Sequence, residues 1–249
     1  MHRFYIPPPD WNPDALALRG AEAHHARDVL RLKTGARVAL FDGRGHEITA
    51  EITKTKRGHI SLRKLHEART PPLPCRITLA QAIPKGKNME LIVQKAVEIG
   101  AGEIVPLVSE RTVVQLEANE ARQKQEKWRS IAIEAAKQCG QNWLPEVQLP
   151  QKPRDFFEAS STQLDLRLIG SLQSDARHLK TVIGDYEREQ GQPPRNVLVC
   201  VGPEGDFTPA ELALARSHGC QPITLGPIIL RVETAAIYCL SVLSYELLA

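Results

Sequence analysis

The spacing of hydrophobic and polar positions changes near residue 70 of the chain. Before that point, short apolar runs separated by glycine-containing turns are typical of strands joined as hairpins. We predict these strands at 38–41, 47–52 and 60–65. Apolar positions at helical spacing predict one helix over 21–32. The amino-terminal part is therefore predicted to form a small β-barrel with one helix.

After residue 75, segments with strand-like and helix-like spacing alternate. The predicted strands are 77–83, 104–108, 164–169, 197–201 and 223–225, and the predicted helices are 89–99, 118–138, 174–189, 209–218 and 234–248. This alternation is typical of an α/β fold with a mostly parallel sheet. The segments 104–108 and 197–201 are apolar on both faces, as strands covered by helices on both sides require.

The segment between the two patterns, residues 67–74, is rich in proline and lacks apolar periodicity. Such a sequence favours an extended and fairly rigid connector. We therefore predict two domains, residues 1–70 and residues 75–249.

The composition of the 249 residues is that of a globular protein, with 42% hydrophobic and 24% charged residues. The apolar run 197–201 spans five residues, whereas a membrane-spanning helix needs roughly 20. The first residues contain three consecutive prolines and no apolar core of signal-peptide length. We expect a cytoplasmic protein that does not associate with membranes.

The spacing of cysteine and histidine argues against a metal site and against a disulfide framework. The five cysteines form no CxxC pair, and the eight histidines form no HExxH motif and no cluster with cysteine. His24 and His25 are adjacent, which is a poor arrangement for binding one ion from one helix face. We therefore predict that the protein holds no metal.

Basic residues are concentrated in the amino-terminal part. Residues 1–70 have a net charge of +5, and the remaining residues have a net charge of −2. A local basic excess is typical of a surface that binds phosphate backbones, but solvated basic surfaces are also common. Charge alone leaves both interpretations open.

The turn after the predicted strand 197–201 is a candidate site, because ligands of open α/β sheets bind beyond the carboxyl ends of strands. Its sequence, GPEGDFTPAE, has two glycines, which let the backbone approach a ligand closely, and one acidic side chain near its tip, Glu204. Thr208 and Glu211 form a predicted capping box that fixes the start of the next helix. The same residues are also compatible with a plain turn between a strand and a helix.

The turn after the predicted strand 223–225 is unusual because it is apolar. It reads GPIILRVE, so that Arg231 and Glu233 precede an apolar helix. Loops normally face water, so we expect this one to be covered by another chain segment or by a flat apolar ligand. The chain contains no GxGxxG, GxxxxGKS or GxxxxGKT motif, which argues against NAD, FAD and P-loop nucleotides.

The two turns lie in the strings NVLVCVGPEGDFTPAEL and ITLGPIILRVETAAIYCLSVL, which resemble the second and third motifs of the SPOUT methyltransferases. The resemblance is to the family that methylates N3 of a uridine in 16S ribosomal RNA of the small subunit. Further blocks similar to that family come in the same order, at Arg3-Phe4, 25–31, 85–90 and 109–111. The resemblance covers nearly the whole chain.

This resemblance implies a PUA-like amino-terminal domain that helps to hold RNA and a SPOUT-type α/β domain whose chain end forms a trefoil knot. It also implies S-adenosylmethionine as the cofactor, 16S ribosomal RNA or the small ribosomal subunit as the substrate, and a homodimer. The implied cofactor contacts are Val201, Gly202, Pro203, Glu204, Gly205, Leu225, Gly226, Ile229, Leu230 and Arg231. An excess of apolar surface on the predicted helix 234–248 also favours a second subunit.

Methyl transfer to uracil N3 requires removal of the N3 proton and stabilisation of the charge that spreads onto the base carbonyls. We assign charge stabilisation to Arg231, and we place Glu204 near the methyl acceptor or as a group that positions the ligand. Glu204 also fits an interaction with the free amides of its own helix, and Glu233 fits a structural role at a helix start.

The expected RNA contacts are Arg3, His25, Arg31, Lys85 and Lys87. For the four basic side chains the alternative is a solvated surface charge. For the histidine the alternative is packing within its own helix. The resemblance does not decide between these interpretations.

Three positions depart from the family pattern, and two other functions stay open. The family usually has Gly where this chain has Asp206, and often Arg where it has Ile228 and Gln141. Asp tolerates positive φ less readily than Gly, and the two missing arginines remove charges that could contact RNA. A ribosome-binding protein without catalysis, or a SPOUT enzyme that methylates another target such as a ribose 2′-hydroxyl, would share the same motifs.

Overall fold

The computed structural model describes residues 1–112, 116–159 and 164–248, and the chain divides into two units. The first unit comprises residues 1–72 and 133–144, and the second comprises the rest. The boundary therefore falls inside the long helix that hydrophobic spacing predicts over 118–138. Spacing predicts that a helix exists, but it does not reveal to which unit each turn belongs.

The first unit is built on five strands and one short α-helix. They are β1 (His2–Tyr5), β2 (Ala17–Arg19), α1 (Gly20–His24), β3 (Arg37–Phe41), β4 (His46–Lys56) and β5 (His59–Arg69). In the described residues the strands form one sheet in the order β1-β3-β4-β5-β2, with β1 parallel to β3 and the other neighbours antiparallel. The two hairpins predicted from the turns, β3–β4 and β4–β5, are confirmed.

The helix predicted over 21–32 is shorter in the structure, so that prediction is wrong at its end. α1 stops at His24, a wider π turn covers His25–Val29, and Arg31 has a φ of 53°, which ends the helical path. β1 and β2 have only four and three residues, too few for a hydrophobic pattern to reveal.

Alternate residues of β4 face the core of the first unit. Ile48, Ala50 and Ile52 are fully buried, and they pack in one cluster with Phe4 and Leu40. Burial of a large apolar side chain stabilises a fold by about 1.5–3 kcal/mol. The apolar and polar alternation of this strand is therefore the direct cause of its orientation in the sheet.

The second unit contains seven described strands and the helices that connect them. In chain order these are β6 (Arg76–Ala82), α2 (Asn88–Ile99), β7 (Glu103–Leu107), α3 (Ala118–Cys139, shared with the first unit), β8 (Glu146–Val147), α4 (Pro153–Ala159), β9 (Leu166–Gly170), β10 (Arg177–His178), α5 (Leu179–Gln190), β11 (Asn196–Val201), α6 (Pro209–Ser217), β12 (Gln221–Thr224) and α7 (Val232–Leu247). The predicted helix 174–189 begins later, at α5, because the residues just before it form the edge strand β10.

The sheet of the second unit has the order β10-β12-β9-β11-β6-β7-β8, and every neighbouring pair is parallel. The predicted α/β class with a parallel sheet is confirmed. Because the strands are parallel, the carboxyl ends of β6, β9, β11 and β12 lie at one edge of the sheet. The loops that follow these four strands therefore begin side by side.

The last helix, α7, packs on α2 and on the sheet. Its residues Leu240, Leu243 and Leu247 are buried within the unit, whereas Tyr238 and Tyr245 are 41% and 79% exposed. No helix in the described ranges is both long and apolar enough to cross a bilayer. The trefoil knot stays a prediction.

Candidate functional site

A cavity of about 480 Å³ lies in the second unit where the four loops begin. All ten residues of the two turns that are expected to contact a cofactor line this cavity. The wall also includes Asn88 at the start of α2, Gly170 at the end of β9, and Ser171 and Leu172 just after it. Sequence reasoning missed these four residues, although the position of β9 in a parallel sheet places its carboxyl end at the same edge.

The loop after β11 is anchored by the start of α6. Thr208 and Glu211 form the predicted capping box, with Thr208 N donating to Glu211 Oε2 at 2.9 Å. The Glu211 carboxylate is buried and also accepts from the hydroxyl of Ser109 at 3.0 Å and from the amide of Glu110 at 2.9 Å. One carboxylate therefore joins the helix start to the turn that follows β7.

Asp206 occupies the position where the family usually has Gly, and its φ is 70°. Its side chain compensates for this uncommon conformation with two hydrogen bonds. Oδ1 accepts from the amide of Phe207 at 2.8 Å, and Oδ2 accepts from the amide of Leu172 at 3.1 Å. Asp206 thus connects the loop after β11 to the loop after β9.

Arg111 supports the same loop from outside the cavity. Its guanidinium donates to the carbonyl oxygen of Gly205 and, at 3.3 Å, to that of Asp206. The two residues before Arg111, Ser109 and Glu110, donate hydrogen bonds to the Glu211 carboxylate. The carbonyl groups at the tip of the loop therefore have a fixed cationic partner.

The loop after β12 is apolar and exposed. Ile228 and Ile229 are 74% and 78% exposed, and both line the cavity. No described residue accepts a hydrogen bond from the backbone N–H groups of Ile229 and Leu230. Gly226 has a φ of 119°, and a Cβ built there meets nothing within 4 Å. The loop thus offers apolar side chains and backbone donors to the same space.

Besides Asp206, three charged side chains line the cavity. Glu204 is exposed, and its Oε1 accepts from the backbone amide of Lys85 at 3.2 Å, so it does not cap its own helix. Glu233 accepts from Asn88 Nδ2 at 3.1 Å. Arg231 is exposed at the start of α7 and makes no ion pair with any residue that the structure describes.

The five expected RNA contacts are in different environments. Arg3 donates to Glu47 and, at 2.6 Å, to Asn142, and only 14% of its side chain is exposed. Its role as a phosphate contact stays a prediction that this burial disfavours. His25 packs edge-on against the ring of Phe4, with 6.1 Å between ring centroids.

The other three expected RNA contacts are exposed. Arg31 lies on the surface of the first unit, and Lys85 and Lys87 lie in the loop after β6. The backbone of that loop reaches the cavity through the bond from Lys85 to Glu204. Within the described residues no group of three or more His, Cys, Asp or Glu side chains is arranged to hold a metal.

Comparison with known proteins agrees with this geometry. The sequence-family model of the RNA methyltransferase domain matches residues 71–244, and that of the RNA methyltransferase PUA domain matches residues 18–65. A protein named ribosomal RNA small subunit methyltransferase E from Bacillus subtilis is 31% identical over 92% of this chain and 90% of its own length. A protein of the same name from Synechocystis is 34% identical over 94% of this chain and 74% of its own length.

Solved structures show the same similarity over the whole chain. A ribosomal RNA small subunit methyltransferase E from Neisseria gonorrhoeae, bound to S-adenosyl methionine, has a TM-score of 0.85 and 31% identity over 99% of this chain and 98% of its own. A protein from Legionella pneumophila, solved with S-adenosylmethionine, has a TM-score of 0.87 and 34% identity over 98% of this chain and 97% of its own.

Proposed function

Because this chain belongs to the RNA methyltransferase family that includes the ribosomal RNA small subunit methyltransferases E, we propose that it methylates N3 of a uridine in 16S ribosomal RNA. Membership of this family makes the protein an S-adenosylmethionine-dependent ribosomal RNA methyltransferase. The observation that supports the proposal is the cavity at the strand ends, where both family turns meet.

The residues of the cavity fit S-adenosylmethionine. Its volume of about 480 Å³ is in the range of small-molecule sites. Ile228 and Ile229 present apolar surface suited to an adenine ring, and the amides of Ile229 and Leu230 are free to donate to its ring nitrogens. A ligand bound through backbone groups needs no charged sequence signature, which explains why no nucleotide motif is present.

In the proposed reaction, Arg231 and Glu204 have separate tasks. When bound, S-adenosylmethionine supplies an electrophilic methyl group. Glu204 uses Oε1 to hold the Lys85 amide, which leaves Oε2 to accept the N3 proton of the uracil. The Arg231 guanidinium, which no described carboxylate neutralises, stabilises the negative charge that then spreads onto the base carbonyls.

The first unit is proposed to hold the RNA. Its basic excess of +5 over residues 1–70 and its match to the RNA methyltransferase PUA domain support this role. Arg31 of the first unit, and Lys85 and Lys87 of the second, are the proposed phosphate contacts, because each is exposed. The substrate, 16S ribosomal RNA or the small subunit, also assigns the enzyme to the cytoplasm.

A homodimer remains part of the proposal. The leucines of α7 are buried within the unit, but Tyr238 and Tyr245 leave an aromatic face exposed on the same helix. Such a face suits a second subunit. Sedimentation of a 27.7 kDa monomer at micromolar concentration would contradict the dimer.

Mapping of the transferred methyl group tests the proposed function. Purified enzyme and labelled S-adenosylmethionine are incubated with unmethylated small ribosomal subunits, and with protein-free 16S ribosomal RNA in a parallel reaction. Nuclease digestion and mass spectrometry then locate the label, which we expect as 3-methyluridine. Label on a ribose 2′-hydroxyl, or a protein that binds the subunit but not the cofactor, would reject the proposal.

A further inference from the structure

A second cavity, of about 420 Å³, lies beside the first in the same unit. The two cavities share three lining residues, Leu172, Gly205 and Asp206. The backbone of the loop after β11 is therefore a common wall between them. Nothing in the proposed binding of S-adenosylmethionine uses the second cavity.

The walls of the second cavity combine apolar surface with two guanidinium groups. Leu172, Pro209 and Leu212 contribute apolar atoms, and Arg111 and Arg216 contribute the charge. A flat nucleobase can pack on apolar and guanidinium surfaces, and a phosphate can accept the forked hydrogen bonds of arginine. A cavity with both features suits a nucleotide.

The two arginines are held differently. Arg111 donates to backbone carbonyl oxygens and pairs with no described carboxylate, so its positive charge is not neutralised. Arg216 forms an ion pair with Asp175, with 2.7 Å between Nη1 and Oδ2. This bond lowers the pKa of the Asp175 carboxyl, and both partners are partly exposed. Exposed ion pairs are weak, so a phosphate can compete for the Arg216 guanidinium.

We propose that the second cavity binds a nucleotide that flanks the methylated uridine, with its phosphate on Arg216 and Arg111. This inference rests on the proposed function, because an RNA strand must enter the first cavity. The methyl acceptor itself must touch the cofactor directly, which the shared wall of Gly205 and Asp206 prevents for a base in the second cavity. The occupant is therefore a neighbour of the acceptor in a single-stranded segment.

Arg216 gives the clearest test, because Arg111 also supports the loop of the first cavity. Arg216→Ala removes the proposed phosphate contact, and Asp175→Asn breaks the same ion pair but keeps the guanidinium. Arg188→Ala is the control, because Arg188 is an exposed, ion-paired arginine of α5 that lines neither cavity. Affinity of the full-length protein for unmethylated small ribosomal subunits is measured over a range of salt concentrations. Affinity for S-adenosylmethionine is measured by calorimetry.

Log affinity falls with log salt concentration, and loss of one phosphate contact should make this fall less steep by about 0.7 for a single strand. We expect Arg216→Ala to show this change and to lose about tenfold in RNA affinity, with unchanged cofactor affinity. Asp175→Asn should bind RNA at least as well as the wild type, and Arg188→Ala should match it.

Two results would overturn the second site while leaving the proposed function intact. The first is that the Arg216→Ala variant has the same RNA affinity and the same salt dependence as the wild type. The other is an equal loss in Asp175→Asn, which would mean that the ion pair only supports the fold. A wild-type protein that neither binds nor methylates the subunit would overturn both proposals.

Discussion

Glu211 and Ser109 are 102 positions apart in the sequence, yet the buried Glu211 carboxylate accepts the Ser109 hydroxyl at 3.0 Å. The same carboxylate accepts the amides of Glu110 and Thr208, both at 2.9 Å. Three hydrogen bonds to one carboxylate thus connect the turn after β7 to the loop after β11, which lines the cavity at the strand ends. Two variants distinguish a carboxylate that anchors this loop from one that only caps α6.

Glu211→Gln replaces one acceptor oxygen with a donor that faces other donors. We expect the free energy of unfolding to fall by about 1–3 kcal/mol and the affinity for S-adenosylmethionine to weaken, because the loop loses its anchor. Denaturant unfolding and calorimetry measure the two effects. Thr208→Ala, which removes only the cap, should cost about 1 kcal/mol and change cofactor affinity less. Equal effects of the two variants on cofactor affinity would contradict the anchoring role of Glu211.

Asp206 allows a comparison of backbone strain with side-chain bonding. Asp206→Gly and Asp206→Ala both leave the Leu172 amide without its acceptor, so both should weaken cofactor binding. The Ala variant must also hold a φ of 70°, so we expect it to be less stable than the Gly variant by about 1 kcal/mol. Thermal unfolding tests the difference. An Ala variant as stable as the Gly variant would show that this conformation stores no strain.

Arg231→Ala should reduce turnover by about a hundredfold to a thousandfold, with little change in cofactor or RNA affinity, if the guanidinium stabilises charge only during methyl transfer. Arg231→Lys keeps the charge but loses the planar fork, so it should recover part of the loss. Single-turnover methylation measures the rate, and thermal unfolding controls for a collapsed loop. A folded Ala variant that loses less than about tenfold, or loses only cofactor affinity, would contradict the assignment.

The five cysteines should differ sharply in reactivity. Burial raises the pKa of the Cys75 thiol to about 12 and that of Cys239 to about 12, and the hydrogen bond with Cys220, together with burial, raises the pKa of Cys200. Cys139 is exposed. At pH 8 to 9 the thiols of Cys75, Cys200 and Cys239 stay protonated, and Cys220 is buried away from the reagent, so iodoacetamide should label the native protein once, at Cys139. Peptide mass spectrometry identifies the site, with the denatured protein as the control for full labelling.

Methyl transfer should not depend on a metal. The chain has no motif with metal-ligand spacing, and the proposed reaction needs only Arg231 and Glu204. Protein treated with a chelator and desalted should therefore keep its full rate on a folded RNA substrate. Lost activity that zinc or magnesium restores, with RNA folding held constant, would be evidence for a metal.

The sequence reveals the parallel sheet and both turns of the cavity, because these depend on local patterns. Hydrophobic periodicity predicts β6, β11 and most of the helices, and glycine, proline and capping residues predict the two turns. It does not reveal the contacts that link distant segments, such as Glu211 with Ser109 or Asp206 with Leu172. Nor does the hydrophobic pattern show the burial of Arg3, since an arginine is ordinarily expected on the surface.

The membership of residues 133–144 in the first unit limits how the chain can be divided. Asn142 accepts from Arg3 at 2.6 Å, and the indole of Trp143 donates to the carbonyl oxygen of Thr70 at 3.0 Å. A Cβ at Gly45 would lie 2.9 Å from the Trp143 ring, so these surfaces fit closely. A fragment cut after residue 72 would lack these partners, because they are supplied from the middle of the other unit's sequence. Genetic truncation therefore cannot isolate the first unit as a contiguous, fully packed domain, and only full-length variants can report its contribution.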